Sequence, residues 1–312
     1  MRFYINGEWS IVHIDDFFPV KKGYKNVYGE IKKGEWPAFA DSADFGEIWP
    51  MVAEKAWAKL LGSYANTESG WNAWVLRYLT NDPVEVVKFN NMIPQSKEGN
   101  KVWRKLLQWS KREYLMFAST DDQSYVKYHT YTILEARELT INGYMRRILK
   151  LRNPWGKVKW KGAFAEGTKE YIDLEKQLKL RAEKEGGKFY MSYEDFVMNF
   201  VDVTMSYSQE SRTGDAVEPE YRPRLSLRTT KGTSYMLITL SKDIDLSKDI
   251  FAISMWQGGN LLGTERNRKF KKFDTVYMSY ELTPLDHEND FIRKWAGWGA
   301  HNNRWSWGDS GT

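Results

Sequence analysis

None of the 312 residues is a cysteine. That count excludes disulfides, thiolate-bound zinc and iron–sulfur clusters as supports for the fold, and it excludes a thiolate nucleophile within these residues. The chain must therefore be held by apolar burial. At 42% hydrophobic and 28% charged residues, over a length that suggests two domains, a core of ordinary size is available. The net charge is +5, with acidic and basic residues intermingled, so nucleic acid is not an expected partner. No run approaches the 18 apolar residues of a membrane span. The first residues, with Arg2, Glu8, Asp15 and Asp16 set among apolar ones, do not read as a signal peptide. A soluble, cytoplasmic chain is the expectation.

Hydrophobic periodicity divides the chain into helical and extended runs. Phe3 to Val20 alternates in the strand manner through Trp9, Ile11, Val12 and Ile14, with Asp15-Asp16 and Pro19 as turn signals. Between Ile48 and Tyr64, apolar residues recur at three and four (Trp49, Val52, Ala53, Ala56, Trp57, Leu60, Leu61) and Gly62 closes a predicted helix. Trp71–Leu79, Val84–Asn90 and Asn100–Ser110 read as further helices, whereas Glu113–Ser119, Lys127–Glu135 and Met145–Arg152 read as strands, with Lys157–Trp160 a weaker one. Lys169–Lys184 is a charged helix ended by Gly186-Gly187. Met191–Phe200 is a short helix, with Ser192 and Asp195 suited to a capping box. Residues 208–223 have linker composition. Beyond them, regularly spaced short strands over 224–285 argue for a β-sandwich. The tail, 286–312, holds Trp295, Trp298, Trp305 and Trp307.

Few residues offer chemistry. His13, His129, His287 and His301 are the only histidines, and their spacing forms no local metal motif. Asp15-Asp16, Asp121-Asp122 and Glu194-Asp195 sit where turn and capping roles account for them. Gly258-Gly259 with Gly263 is a turn and not a phosphate loop. The basic run Arg266–Lys272 is an ordinary solvated loop, with contact to a membrane or an acidic protein as the alternative. One arrangement differs. His129 lies in the strand-like run Tyr128-His129-Thr130-Tyr131-Thr132-Ile133, and 24 residues on comes Asn153, within Leu151-Arg152-Asn153-Pro154-Trp155-Gly156. A proton-transferring imidazole needs a partner to fix its tautomer, and an amide carbonyl can serve. Two antiparallel strands would bring the pair together, and Trp155 would cover the bond. A histidine simply satisfied in a half-buried strand is the competing reading.

His129-Thr130-Tyr131 followed by Leu149-Lys150-Leu151-Arg152-Asn153-Pro154-Trp155-Gly156 resembles the calpain family of papain-like cysteine proteases, where the matching His and Asn belong to a Cys–His–Asn triad. Asn6-Gly7-Glu8-Trp9 leading to Ile14-Asp15-Asp16-Phe17-Phe18-Pro19 is similar to the strand that opens the family's second catalytic subdomain. Ile48-Trp49 through Gly62-Ser63-Tyr64 is similar to its central helix, and Phe189 to Phe196 to its closing segment. The resemblance implies an α+β fold. Residues 1–207 would be the His/Asn-bearing half of a papain-like cysteine protease core, 208–223 a linker and 224–285 an antiparallel β-sandwich. It also implies His129 as general base, Asn153 as its orienting partner and Trp155 as their shield.

The resemblance has gaps. The family's cysteine and oxyanion-hole glutamine belong to a preceding subdomain, which is expected to be absent from this chain. Tyr128 and Thr130 replace smaller neighbours of the histidine. At the positions matching the family's calcium site stand Lys159, Glu166, Gly186 and Lys188; two lysines and a glycine oppose a hard cation, so no calcium and no other cofactor is expected there. The expected function is that of a calpain-like endopeptidase acting on protein substrates, inactive until a cysteine-bearing subdomain joins it. The alternative is a non-catalytic scaffold or regulatory binding protein.

Overall fold

The computed structural model describes residues 1–5, 8–25, 31–42, 46–122, 124, 126–156, 160–178, 186–207, 279–281 and 296–298. They fall into two units, residues 1–70 with 256–312, and residues 71–255. No helix among the described residues is long and apolar enough to cross a membrane. The expected linker lies outside the described residues. So do the expected sandwich and tail, apart from Ser279–Glu281 and Ala296–Trp298, which pair antiparallel.

In the first unit the alternating N-terminal run folds back on itself. Arg2–Ile5 (β1) pairs with Glu8–Ile11 (β2), and Val20–Lys25 (β3) pairs with Ile31–Pro37 (β4), both antiparallel. The predicted central helix is Trp49–Leu61 (α1). Pro50 lies in its first turn, where an N–H has no intrahelical acceptor, and Gly62 ends it at φ +92°, a conformation that favours glycine. Phe3, 1% exposed, meets Trp57 of this helix with ring centroids 5.7 Å apart. Lys59 donates to the His13 carbonyl at 2.6 Å, and Lys55 pairs with Asp15. The Asp15 carboxylate also accepts from the Phe17 N–H at 2.9 Å, the turn role expected of it.

The second unit is built on six antiparallel strands: Val84–Lys88 (β5), Leu115–Ser119 (β6), Thr130–Ile141 (β7), Tyr144–Arg152 (β8), Lys188–Ser192 (β9) and Asp202–Ser206 (β10). Their order is β5-β10-β6-β7-β8-β9. Val84–Asn90 was expected to be helical and is a strand instead. Its β-branched Val84, Val86 and Val87 suit a pleated surface, and β10 supplies the partner, from Val84 opposite Ser206 to Lys88 opposite Asp202. Four helices cover the sheet: Asn72–Thr80 (α2), Lys97–Lys111 (α3), Lys169–Leu178 (α4) and Tyr193–Asn199 (α5). Helix α3 begins earlier than its apolar stripe implies, because the Ser96 hydroxyl caps it by accepting from the Gly99 N–H at 3.0 Å. Ser192 caps α5 in the expected way, accepting from the Asp195 N–H at 3.1 Å. Residues 157–159 of the weaker predicted strand lie outside the described residues.

Strand alternation sends Leu149, Leu151, Met191, Val203 and Met205 to one face, where Trp103, Leu106 and Phe196 of α3 and α5 bury them. On the other face Ile148 and Tyr190 meet Leu174 of α4. There β10 presents Asp202, Thr204 and Ser206, all buried, toward the side covered by α2. Asp202 is 7% exposed, and its Oδ1 has no hydrogen-bond partner among the described residues. Burial raises its carboxyl above the ordinary 3.8, against the opposing pull of a Ser119 hydrogen bond and the Lys88 charge. A carboxyl with a raised folded pKa costs stability once it ionises. Asp202→Asn is therefore expected to stabilise the fold at pH 7 by roughly 1 kcal/mol. That gain should shrink as the pH falls through the raised pKa and vanish only well below 3.8, where the carboxyl is neutral in the folded and the unfolded chain alike. Urea melts at pH 7 and at pH 4 would test this; a variant equally destabilised at both would refute it.

Candidate active site

The hairpin of β7 and β8 places the two sequence-predicted residues. It turns at Asn142-Gly143, with φ of +52° and +80°, the pair of left-handed residues that a two-residue type I′ turn demands. Register then runs from Ile141 opposite Tyr144 to Thr132 opposite Arg152, shifting between Ile133 and Glu135. His129, just before β7, and Asn153, just after β8, consequently emerge at the same open end of the hairpin.

There His129 Nε2 lies 2.9 Å from Asn153 Oδ1. An amide oxygen only accepts, so with this amide orientation the ring proton resides on Nε2 and the lone pair on Nδ1. Asn153 is 2% exposed and fixed on several sides. Its Oδ1 also accepts from the Trp155 N–H at 3.0 Å, its own N–H donates to the Gly187 carbonyl at 2.8 Å, and its carbonyl accepts from the Gly156 N–H at 3.0 Å. The Trp155 ring tilts across the imidazole with centroids 4.1 Å apart, and Tyr131 meets the imidazole edge-on at 4.9 Å. Tyr131 is in turn held by edge-on contacts with Phe189 and Phe200. Burial holds the imidazole pKa below its ordinary 6.5, and the bond to Asn153 works in the opposite direction. The neutral ring, the form able to take a proton, thus prevails at neutral pH.

The outer side of the pair is open. Tyr128 is 78% exposed and Trp155 is 44% exposed. On the inner side a cavity of about 40 Å³ borders Asn153, with Thr120, Ser124 and Asn199 among its polar lining. A cavity of that size and polarity accommodates one or two waters.

The other candidates do not converge. Among the described residues no group of three or more His, Asp or Glu could hold a metal ion. Glu194 pairs with Arg147 at 3.0 Å and Asp195 serves the α5 cap; Asp121 accepts from the Ser124 N–H at 3.2 Å. Asp195 and Asp121 thus fill the capping and turn roles expected, whereas Glu194 forms an ion pair with β8 instead. Lys159, Arg266–Lys272, His287 and His301 lie outside the described residues. Glu166 is exposed, and Lys188 opens β9 opposite Arg152. A Cβ added at Gly186 would run into the Gly156 carbonyl oxygen, so a ligand-bearing side chain there would displace the turn after Asn153.

The sequence profile of the calpain family of cysteine proteases matches residues 1–207. Calpain-type cysteine protease DEK1 of Arabidopsis thaliana is 32% identical over 225 residues, which cover 68% of this chain and 10% of that protein. Calpain-type cysteine protease ADL1 of Oryza sativa subsp. japonica is 28% identical over 281 residues, 80% of this chain and 12% of that protein. The Calpain-1 catalytic subunit of Homo sapiens is 30% identical over 207 residues, with coverage of 62% and 26%. The chain therefore spans between about a tenth and a quarter of the length of these relatives.

Proposed function

The chain belongs to the calpain family of cysteine proteases, and we propose that it supplies the proton-handling half of a peptide-hydrolysing site. The observation that carries this reading is the 2.9 Å contact between His129 Nε2 and Asn153 Oδ1, with Trp155 laid against the imidazole. His129 acts as general base and then as general acid, Asn153 holds its tautomer, and Trp155 keeps water from the bond between them.

The nucleophile is a cysteine outside these 312 residues, which contain none. Nδ1 of His129 takes the thiol proton, and the thiolate attacks the substrate carbonyl carbon. The imidazolium then gives its proton to the departing amine, which leaves a thioester on sulfur. In the second half Nδ1 takes a proton from water, hydroxide cleaves the thioester, and the proton returns to sulfur. By itself the chain is expected to cleave nothing. The exposed Tyr128 and Trp155 beside the pair agree with a face awaiting a cysteine-bearing partner.

The test is complementation. Co-purified with the cysteine-bearing first subdomain of a calpain, the chain should cleave a fluorogenic peptide and accelerate labelling by a thiol-directed protease probe. An intact complex that does neither would point instead to a non-catalytic scaffold.

No calcium is expected at the positions matching the family's calcium site. Supporting this are the lysine at 188, the barrier to any side chain at Gly186, and Glu166 as the one carboxylate. Millimolar Ca²⁺ should leave the backbone amide resonances of Glu166, Gly186 and Lys188 unmoved; saturable shifts at all three would contradict the expectation.

A further inference from the structure

The ladder between β6 and β7 ends at the pair Ser119 and Thr130. One step further Thr120 and His129 still face each other, but their rung is only half main chain. The Thr120 N–H donates to the His129 carbonyl at 2.9 Å, as an antiparallel rung requires. In return the His129 N–H donates to the Thr120 side-chain oxygen, at 2.8 Å. The same hydroxyl lies 2.7 Å from the Val126 carbonyl and 3.0 Å from the His129 carbonyl, so its own proton has an acceptor in reach. Thr120 is 9% exposed, which limits competition from water for these bonds.

The backbone is unusual at the same place. Tyr128, just before His129, adopts φ +47°, a region that bulky residues avoid. Its N–H donates to the Asp121 carbonyl at 3.2 Å, closing the loop one step beyond Thr120. From the other side Ser124 donates to the Asn199 carbonyl at 2.9 Å and ties this loop to the end of α5. Thr120 and Asn153 also border the same small cavity.

We propose that Thr120 is a positioning residue for His129, its hydroxyl completing the last sheet rung and holding the backbone from which the imidazole reaches Asn153. The assignment rests on the reading of His129 and Asn153 as the proton-handling pair. It explains how a residue outside the regular ladder is held as firmly as one inside it. A threonine serves because its methyl fills space while its hydroxyl supplies an acceptor that valine lacks and serine retains.

The experiment is ¹⁵N NMR of the His129 ring and amide in the full chain, with Thr120→Val and Thr120→Ser for comparison. The parent protein should show one ring tautomer, protonated at Nε2. Thr120→Val should give a mixture of tautomers, a His129 pKa moved toward 6.5, and a His129 amide exchanging about tenfold faster, the effect of one lost hydrogen bond. Thr120→Ser should stay close to the parent. A folded Thr120→Val with unchanged ring and amide behaviour would overturn the proposal, as would a folded Thr120→Ser that matches the valine variant. If Thr120→Val does not fold, the parent decides. Its His129 amide should be protected as well as the amides of β7, and exchange at the rate of an exposed loop would also overturn it. Failure of complementation in the parent, with the tautomer and protection as expected, would sink the functional reading while leaving Thr120 as the support of the ring.

Discussion

His129→Ala, in a complex of this chain with a cysteine-bearing calpain subdomain, should lower the rate of thioester formation by on the order of 10⁴–10⁶-fold. The size follows from what the ring does. Without Nδ1 the thiol loses the base that activates it, and the departing amine loses its proton donor, so both chemical steps fail together. The fold should survive, because His129 lies at the mouth of the hairpin and outside the main apolar core. A single-turnover assay with a fluorogenic peptide amide, with circular dichroism as the folding control, makes the measurement. Activity retained within tenfold of the parent complex would remove His129 from the mechanism.

Gly187→Ala should destabilise the second unit by roughly 2–5 kcal/mol, and the cause is geometric. Gly187 has φ +89°, a conformation that an L side chain resists. A Cβ there would also run into the Asn153 carbonyl oxygen and lie 3.1 Å from the Gly156 Cα. The Gly187 carbonyl is itself the acceptor for the Asn153 N–H, so relief of the clash moves the residue that orients His129. Urea denaturation should show a lower midpoint with an unchanged slope. The His129 ring should lose its single tautomer even in native buffer. A variant as stable as the parent would mean that the turn relaxes without touching Asn153.

That second case shows where local reading stops. Gly186-Gly187 reads locally as the terminator of a helix over Lys169–Lys184; α4 is described as far as Leu178, and residues 179–185 lie outside the described residues. The glycine pair's more demanding role, packing backbone against backbone beside Asn153, depends on a strand that returns from elsewhere in the chain. Val84–Asn90 failed for a similar reason. Its valines fit either period over so short a run, and β10, more than a hundred residues later, decided the matter. The helices α1 and α3 were legible because their apolar stripes are long enough to state a period unaided. Asn142-Gly143 carries a local signal for the hairpin turn, and that turn is what brings His129 and Asn153 to one end.

What the residues alone determined is therefore chemical and local: no thiol anywhere in 312 positions, a histidine and an asparagine in a calpain-like setting, and most of the helices. Each follows from residue identity or from a period repeated within one segment. The tertiary structure decided the rest. It set the 2.9 Å contact that fixes the ring, the threonine hydroxyl that replaces a main-chain acceptor, the close passage of Gly187, and the buried carboxyl of Asp202. All four depend on strand register across the sheet, which sums many distant contacts that no local stretch of chain records.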